Sequence, residues 1–249
     1  MFTLLACSES KTKIDQEFVI DIELEDKTHD SINKILLSQR RTSAPTGMPV
    51  ILLDFDGHTT SGTMWNVNGD FTVGSSGLNP TQQQVVLDSV KRYYRQWDAL
   101  LLVTNDERKY RRAPEDQRIR IVITVDNEFY CTNCGGSAYI NSFTWLDETP
   151  AFVFSELLGF NVKKIADASA HEAGHALALR HQSRYDSSTC VRLEEYHSGF
   201  TGEISWAPIM GNSYNNPTPR FITGTNSIPD SITCGRIQND TLIIKSKLQ

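Results

Sequence analysis

The sequence predicts an α/β (α+β) fold: a mixed, mostly parallel sheet with helices packed on it, followed by an irregular, loop-rich lower subdomain. Three observations lead there. Short apolar runs alternate with helical stretches between Pro49 and Phe154, a pattern that favours parallel pairing within an α/β layer. An alanine-rich stretch with helical periodicity begins near Asn161. Beyond Gln182 the periodicity fades among Gly199, Gly202, Pro208, Gly211, Pro217 and Pro219.

Taken in order, Pro49 to Phe55 is a nearly continuous apolar run bounded by Gly57 and reads as a buried strand. Asn79-Pro80 supplies an N-cap and a first helical residue. Val86, Val90, Tyr93 and Trp97 then recur at helical spacing, an amphipathic helix. Leu100 to Thr104 and Ile119 to Val125 read as aliphatic strands, separated by a polar helix over Asp106 to Glu115. Gly135-Gly136 opens a further segment, Ser137 to Phe143, and Ala151 to Phe154 is the last short strand before the helix near Asn161. No internal repeat is present.

The chain has 249 residues, 39% hydrophobic and 22% charged, which is enough apolar material for a sizeable core. Its net charge of −6 comes with no basic cluster longer than Arg40-Arg41 or Arg111-Arg112, so the electrostatic footprint of a nucleic-acid binder is missing. No stretch approaches the roughly eighteen consecutive apolar residues needed to cross a bilayer as a helix.

Leu4-Leu5-Ala6-Cys7 resembles a bacterial lipobox, in which the cysteine becomes lipidated. Only a few apolar residues and no basic residue precede it, so either a start lies upstream of Met1 or the match is a coincidence of four common residues. The expected organisation is a partial lipoprotein-type signal at 1–7, a polar tether or pro-segment at 8–47 and a folded domain at 48–249. The protein is expected to be exported, either secreted or held at the cell surface or outer membrane, and monomeric. Membrane contact is expected only through a lipid on Cys7.

Setting Cys7 aside leaves Cys131, Cys134, Cys190 and Cys234, an even set that suits two disulfides in an oxidising compartment. Three connectivities are open, and Cys131-x-x-Cys134 could instead be half of a zinc knuckle or a redox motif. The favoured pairs are Cys131 with Cys134, and Cys190 with Cys234 in the loop-rich part.

Three of the six histidines lie in the eleven residues from His171 to His181, HEAGHALALRH. On a helix, His171 and His175 differ by about 40° around the axis and one turn along it, so both imidazoles face one side and can take two corners of a zinc tetrahedron. Glu172 sits about 100° further round, which puts its carboxylate beside the metal rather than on it. There it can take a proton from zinc-bound water as general base. A straight helix would carry His181 about 15 Å along the axis and roughly 80° off the shared face, so the chain must turn after about Leu177 for His181 to become the third ligand. The competing reading is a buried alanine-rich helix, Ala166 to Leu179, with incidental histidines. The third histidine at its offset, within a helix that follows strands, favours the zinc site.

These residues resemble the metzincin clan of zinc endopeptidases, whose extended motif is HExxHxxGxxH followed by a Met-turn. His171, Glu172, His175 and His181 match, while Ala178 stands in place of the glycine. Ala207-Pro208-Ile209-Met210-Gly211 resembles the Met-turn, with Met210 as the apolar floor beneath the metal. Leu53 to Asn66, Ala138-Tyr139-Ile140, Ala151 to Phe154 and Ser205 to Met210 resemble, more closely, bacterial secreted reprolysin-like (adamalysin-like) metallopeptidases, over about Pro49 to Leu242. The resemblance implies a zinc-dependent endopeptidase acting on extracellular proteins or peptides, with helices above an active-site cleft. Zinc-bound water is its nucleophile. It also implies that Ser137, Ala138, Tyr139 and Ile140 form the cleft edge, where an extended substrate adds as another strand.

The glycine of the motif ends the helix, and if the turn is left-handed at Ala178 the alanine carries a Cβ penalty there. Tyr214 reads as a packing residue rather than a metal ligand. His58 and His197 read as surface or structural groups, and Asp54 with Asp56 lacks a third carboxylate for calcium. The rival to the enzyme is a catalytically silent zinc-stabilised binding module, against which the retained Glu172 argues.

Overall fold

The computed structural model describes residues 47–202 and 205–249. The lipobox-like Leu4 to Cys7 and the polar segment, apart from Gly47, lie outside the described residues. Strand β1 (Val50–Asp54) forms from the apolar run, buried along four of its five residues. A short hairpin of β2 (His58–Thr60) and β3 (Phe71–Val73), which the sequence pattern did not announce, follows it.

Helix α1 (Pro80–Tyr94) starts where Asn79 caps it. The Asn79 side chain accepts from the Gln82 backbone N–H, and Gln82 answers by accepting from Asn79 N–H, a complete capping box with proline in the first turn. Val86, Leu87, Val90 and Tyr94 form its buried face. β4 (Leu102–Thr104) follows. The polar helix expected over Asp106 to Glu115 is only the single turn α2 (Glu107–Tyr110), because Pro114 disfavours helical backbone at the residue before it and cannot donate to the ladder.

β5 (Arg118–Thr124), buried along its whole length, is the middle of the sheet. Beyond it come β6 (Gly136–Ser137), β7 (Ala151–Phe154) and α3 (Val162–Ala176). The sheet order is β4-β1-β5-β7-β6, with every pairing parallel except the last. The parallel reading of the alternating runs therefore holds, but Ser137 to Phe143 is not one strand. It leaves the sheet after Ser137 and passes through a left-handed Asn141 into a 3-10 turn at Ser142–Thr144.

Buried Arg120 answers the carboxylates of the first strand. Its guanidinium donates to Asp54 at 2.5 Å and to Glu107 at 2.8 Å, and Arg118 pairs with Glu148. Both arginines lie over the Tyr110 ring at 4.9 Å. The Asp54 position is thus held by a protein cation, which removes the reason to place calcium there.

α3 is capped by Asn161, whose side chain accepts from Lys163 and Lys164 N–H. Its alanines, Ala166, Ala168, Ala170, Ala173 and Ala176, are all buried. Small side chains allow close approach to α1, where Tyr94 Oη donates to the Ala170 carbonyl at 3.0 Å and Tyr93 Oη to Asp167 at 2.8 Å.

The last third is more regular than its composition suggests. β8 (Arg184–Tyr185) and β9 (Arg192–Glu194), β10 (Ala207–Pro208) and β11 (Pro219–Arg220), and β12 (Thr223–Asp230) and β13 (Cys234–Asn239) form three two-stranded ladders. Helix α4 (Asp240–Lys247) closes the chain, capped by Asn239. Disulfides join Cys131 to Cys134 and Cys190 to Cys234. Such bonds persist in extracellular or periplasmic surroundings. No helix among the described residues is long and apolar enough to cross a membrane.

Candidate metal centre

α3 ends in a turn that decides the site. Ala178 has φ 73°, the left-handed conformation expected for the residue in the glycine position of the motif. Ala178 N–H donates to the His175 carbonyl at 2.8 Å and Leu179 N–H to the Gly174 carbonyl at 2.9 Å, the two bonds of a Schellman cap. The backbone folds back over the helix end, and His181 returns to the face carrying His171 and His175.

The three imidazoles meet there. One ring nitrogen of each lies within 4.8 Å of the others, all three residues being buried. His175 Nε2 and His181 Nε2 are 3.1 Å apart. Nitrogens bound to one zinc at 2.0–2.1 Å in a tetrahedron stand about 3.3 Å apart, so this spacing fits a shared cation.

The other ring nitrogens decide the tautomers. His171 Nδ1 is 2.7 Å from the Ile209 carbonyl and His175 Nδ1 is 2.8 Å from the Leu179 carbonyl. A carbonyl only accepts, so each Nδ1 carries a hydrogen, and in the neutral ring Nε2 then presents its lone pair. Neutral imidazoles with their lone pairs converging are a donor set that suits zinc.

The turn after β10 supplies the floor. Ile209 gives its carbonyl to His171, and the Met210 carbonyl accepts from Gln182 N–H at 2.7 Å, beside His181. Met210 is fully buried against α3, so that a Cβ placed on Gly174 would stand 2.4 Å from its Sδ. Met210 therefore packs on the helix that carries His171 and His175.

Glu172 is buried at 2% exposure, and its carboxylate lies against the edge strand. A Cβ on Gly136 would come within 2.5 Å of Glu172 Oε1. The glycine thus makes room for the carboxylate between α3 and β6. Asn141 N–H donates to the His175 carbonyl at 2.9 Å, tying the chain beyond β6 to the end of the helix.

Of the four residues expected at a substrate edge, Ser137 belongs to β6, which ends the sheet order. Ser137 and Ala138 are fully buried and Ile140 nearly so. Tyr139 is half-buried between Trp65 and Trp145, its hydroxyl donating to the Met64 carbonyl at 3.2 Å. Tyr214 packs against the main core, with Lys164 over its ring. His58 and His197 are structural, and burial lowers the pKa of both.

Two neighbours of the centre escaped the sequence reading. The Tyr196 ring lies 4.3 Å from that of His181 and 6.3 Å from that of His171. Glu195 Oε1 stands 3.5 Å from His181 Nδ1. Nothing in their spacing from the histidines marks them, because fourteen residues lie between His181 and Tyr196 in the chain. Comparison of the chain with known protein families, with curated proteins and with solved structures finds no match.

Proposed function

We propose that the chain is an exported zinc endopeptidase of the metzincin type, acting on extracellular proteins or peptides. The observation that carries this reading is the convergence of His171, His175 and His181, with Glu172 buried on the same helix and Met210 packed against that helix at Gly174. A zinc ion held by the three histidines would supply Lewis acidity, making water more acidic and polarising the scissile carbonyl.

The protein's own groups do the rest. Glu172 takes a proton from the water whose oxygen attacks the carbonyl carbon, and delivers it to the nitrogen as the C–N bond breaks. Its burial against Gly136 holds the carboxylate in one place and limits competing solvent. The outer edge of β6 offers main-chain groups along which an extended peptide adds, so that Ser137 to Ile140 bind backbone rather than side chains. The short β6 confines that contact to a few residues. If Cys7 is lipidated, the same domain works at a membrane surface.

Incubation of the purified protein with gelatin, with and without a chelator, tests the proposal. Cleavage abolished by the chelator and restored by zinc supports it. Zinc bound in full without cleavage of any protein substrate would assign the chain to the binding-module class instead.

A further inference from the structure

The three histidines are not held alike. His171 and His175 give their Nδ1 hydrogens to backbone carbonyls, whereas His181, the ligand outside the helix, faces a side chain. We propose that Glu195 is the positioning residue for His181, fixing its tautomer and aiming Nε2 at the metal. This rests on the zinc reading above.

Its surroundings are built for the task. Arg192 Nη2 holds Glu195 Oε2 at 3.1 Å, which leaves Oε1 to face His181 Nδ1 at 3.5 Å. Ser183 Oγ donates to the Glu195 carbonyl at 2.7 Å, and His197 N–H donates to the Gln182 carbonyl at 2.8 Å. The segment Glu195 to His197 therefore lies alongside Gln182-Ser183 on one side, as Met210 does on the other through its bond from Gln182 N–H. The Tyr196 ring lies tilted beside the His181 ring at 4.3 Å and limits its rotation. The Cys190–Cys234 bond and the Asp186 turn, whose carboxylate accepts from Ser188 and Thr189 N–H, fasten the base of this loop. A ligand on a loop lacks the rotamer restraint of a helix, and a carboxylate on its far nitrogen restores it.

Zinc affinity measured by competition with a chromophoric chelator, for wild type, Glu195→Ala and Glu195→Gln, tests the proposal. The alanine variant should bind zinc roughly 10- to 100-fold more weakly. Glu195→Gln should recover most of the loss, since its amide oxygen can accept the same hydrogen. Melting of the metal-free proteins should be the same in all three, because the Glu195 side chain is half-exposed. Wild-type affinity in Glu195→Ala would overturn the proposal. If the wild type itself binds no zinc, the functional reading falls, and nitrogen-15 spectra of metal-free wild type then judge Glu195 alone. The Nδ1–H form of His181 upholds its role, and a dominant Nε2–H form ends it.

Discussion

Gly174 and Met210 meet so closely that a Cβ on Gly174 would stand 2.4 Å from Met210 Sδ and 3.3 Å from its Cε. The helix residue just before His175 is thus a glycine because the methionine of the later turn occupies the space. Gly174→Ala gains about 1 kcal/mol of helix propensity but overpacks a filled core at about 1–3 kcal/mol. Denaturant unfolding should show a net loss, with weaker zinc binding because His171 and His175 flank the contact. A net gain near the full propensity value would mean that the two residues do not touch.

Ala178 carries the opposite expectation. Its φ of 73° lies where a Cβ costs roughly 1–2 kcal/mol, and the residue is outside the helix, so glycine loses no propensity there. Ala178→Gly gives back about 0.4–1 kcal/mol through the more flexible unfolded chain. Equilibrium unfolding should find the variant equal to wild type or up to about 1.6 kcal/mol more stable, with zinc retained. A clear loss of stability would contradict the left-handed cap.

Asp240 gives the fold a pH dependence of its own. Its Oδ1 accepts from Gln182 Nε2 at 2.8 Å and Gln238 Nε2 at 2.9 Å, and its Oδ2 accepts from Ile222 N–H at 2.9 Å. Burial pushes the carboxyl up to about 6, against the lowering by these bonds. The unfolded carboxyl releases its proton near pH 4, so between about pH 4 and 6 the folded chain binds more protons and stability falls as pH rises. Urea unfolding of metal-free protein should show wild type losing ground to Asp240→Asn across that window, by an amount on the order of 3 kcal/mol. A difference that stays flat from pH 4 to 7 would refute the assignment.

The two disulfides should differ in worth. Cys190–Cys234 spans a sequence separation of 44 and Cys131–Cys134 one of 3. By loop-closure entropy the longer one stabilises by about 4 kcal/mol and the shorter by about half that. Paired serine variants, compared by thermal melting, should rank in that order. Peptide mapping that finds these four cysteines as free thiols in the native protein would overturn the oxidising compartment as well.

The histidine centre was legible because its spacing is a helical rule, and the return of His181 could be required from the 1.5 Å rise alone. The strands β1, β4, β5 and β7 were legible as apolar runs for the same local reason. The hairpin of β12 and β13 was not: Thr223 to Asp230 holds a glycine, a proline and few apolar side chains, so no alternation marks it. Pairing with the neighbouring Cys234 to Asn239 and a bridge from Asn226 to Gln182, which is distant in sequence, make it a strand. Ser137 to Phe143 misled in the other direction, since its apolar residues are buried by the turn that brings Asn141 to the His175 carbonyl rather than by a strand. Glu195 was invisible because its partner lies across a loop closed by a disulfide.

In the proposed reaction Glu172 moves the proton at a zinc centre built by His171, His175 and His181. The measurement that meets it most directly is the cleavage rate of casein by Glu172→Ala, with zinc content determined on the same preparation. The variant should hold one zinc per chain and keep its fold, with proteolysis lowered by at least the roughly 10²-fold typical of losing a general base. Full proteolysis in a variant that still holds its zinc would contradict it.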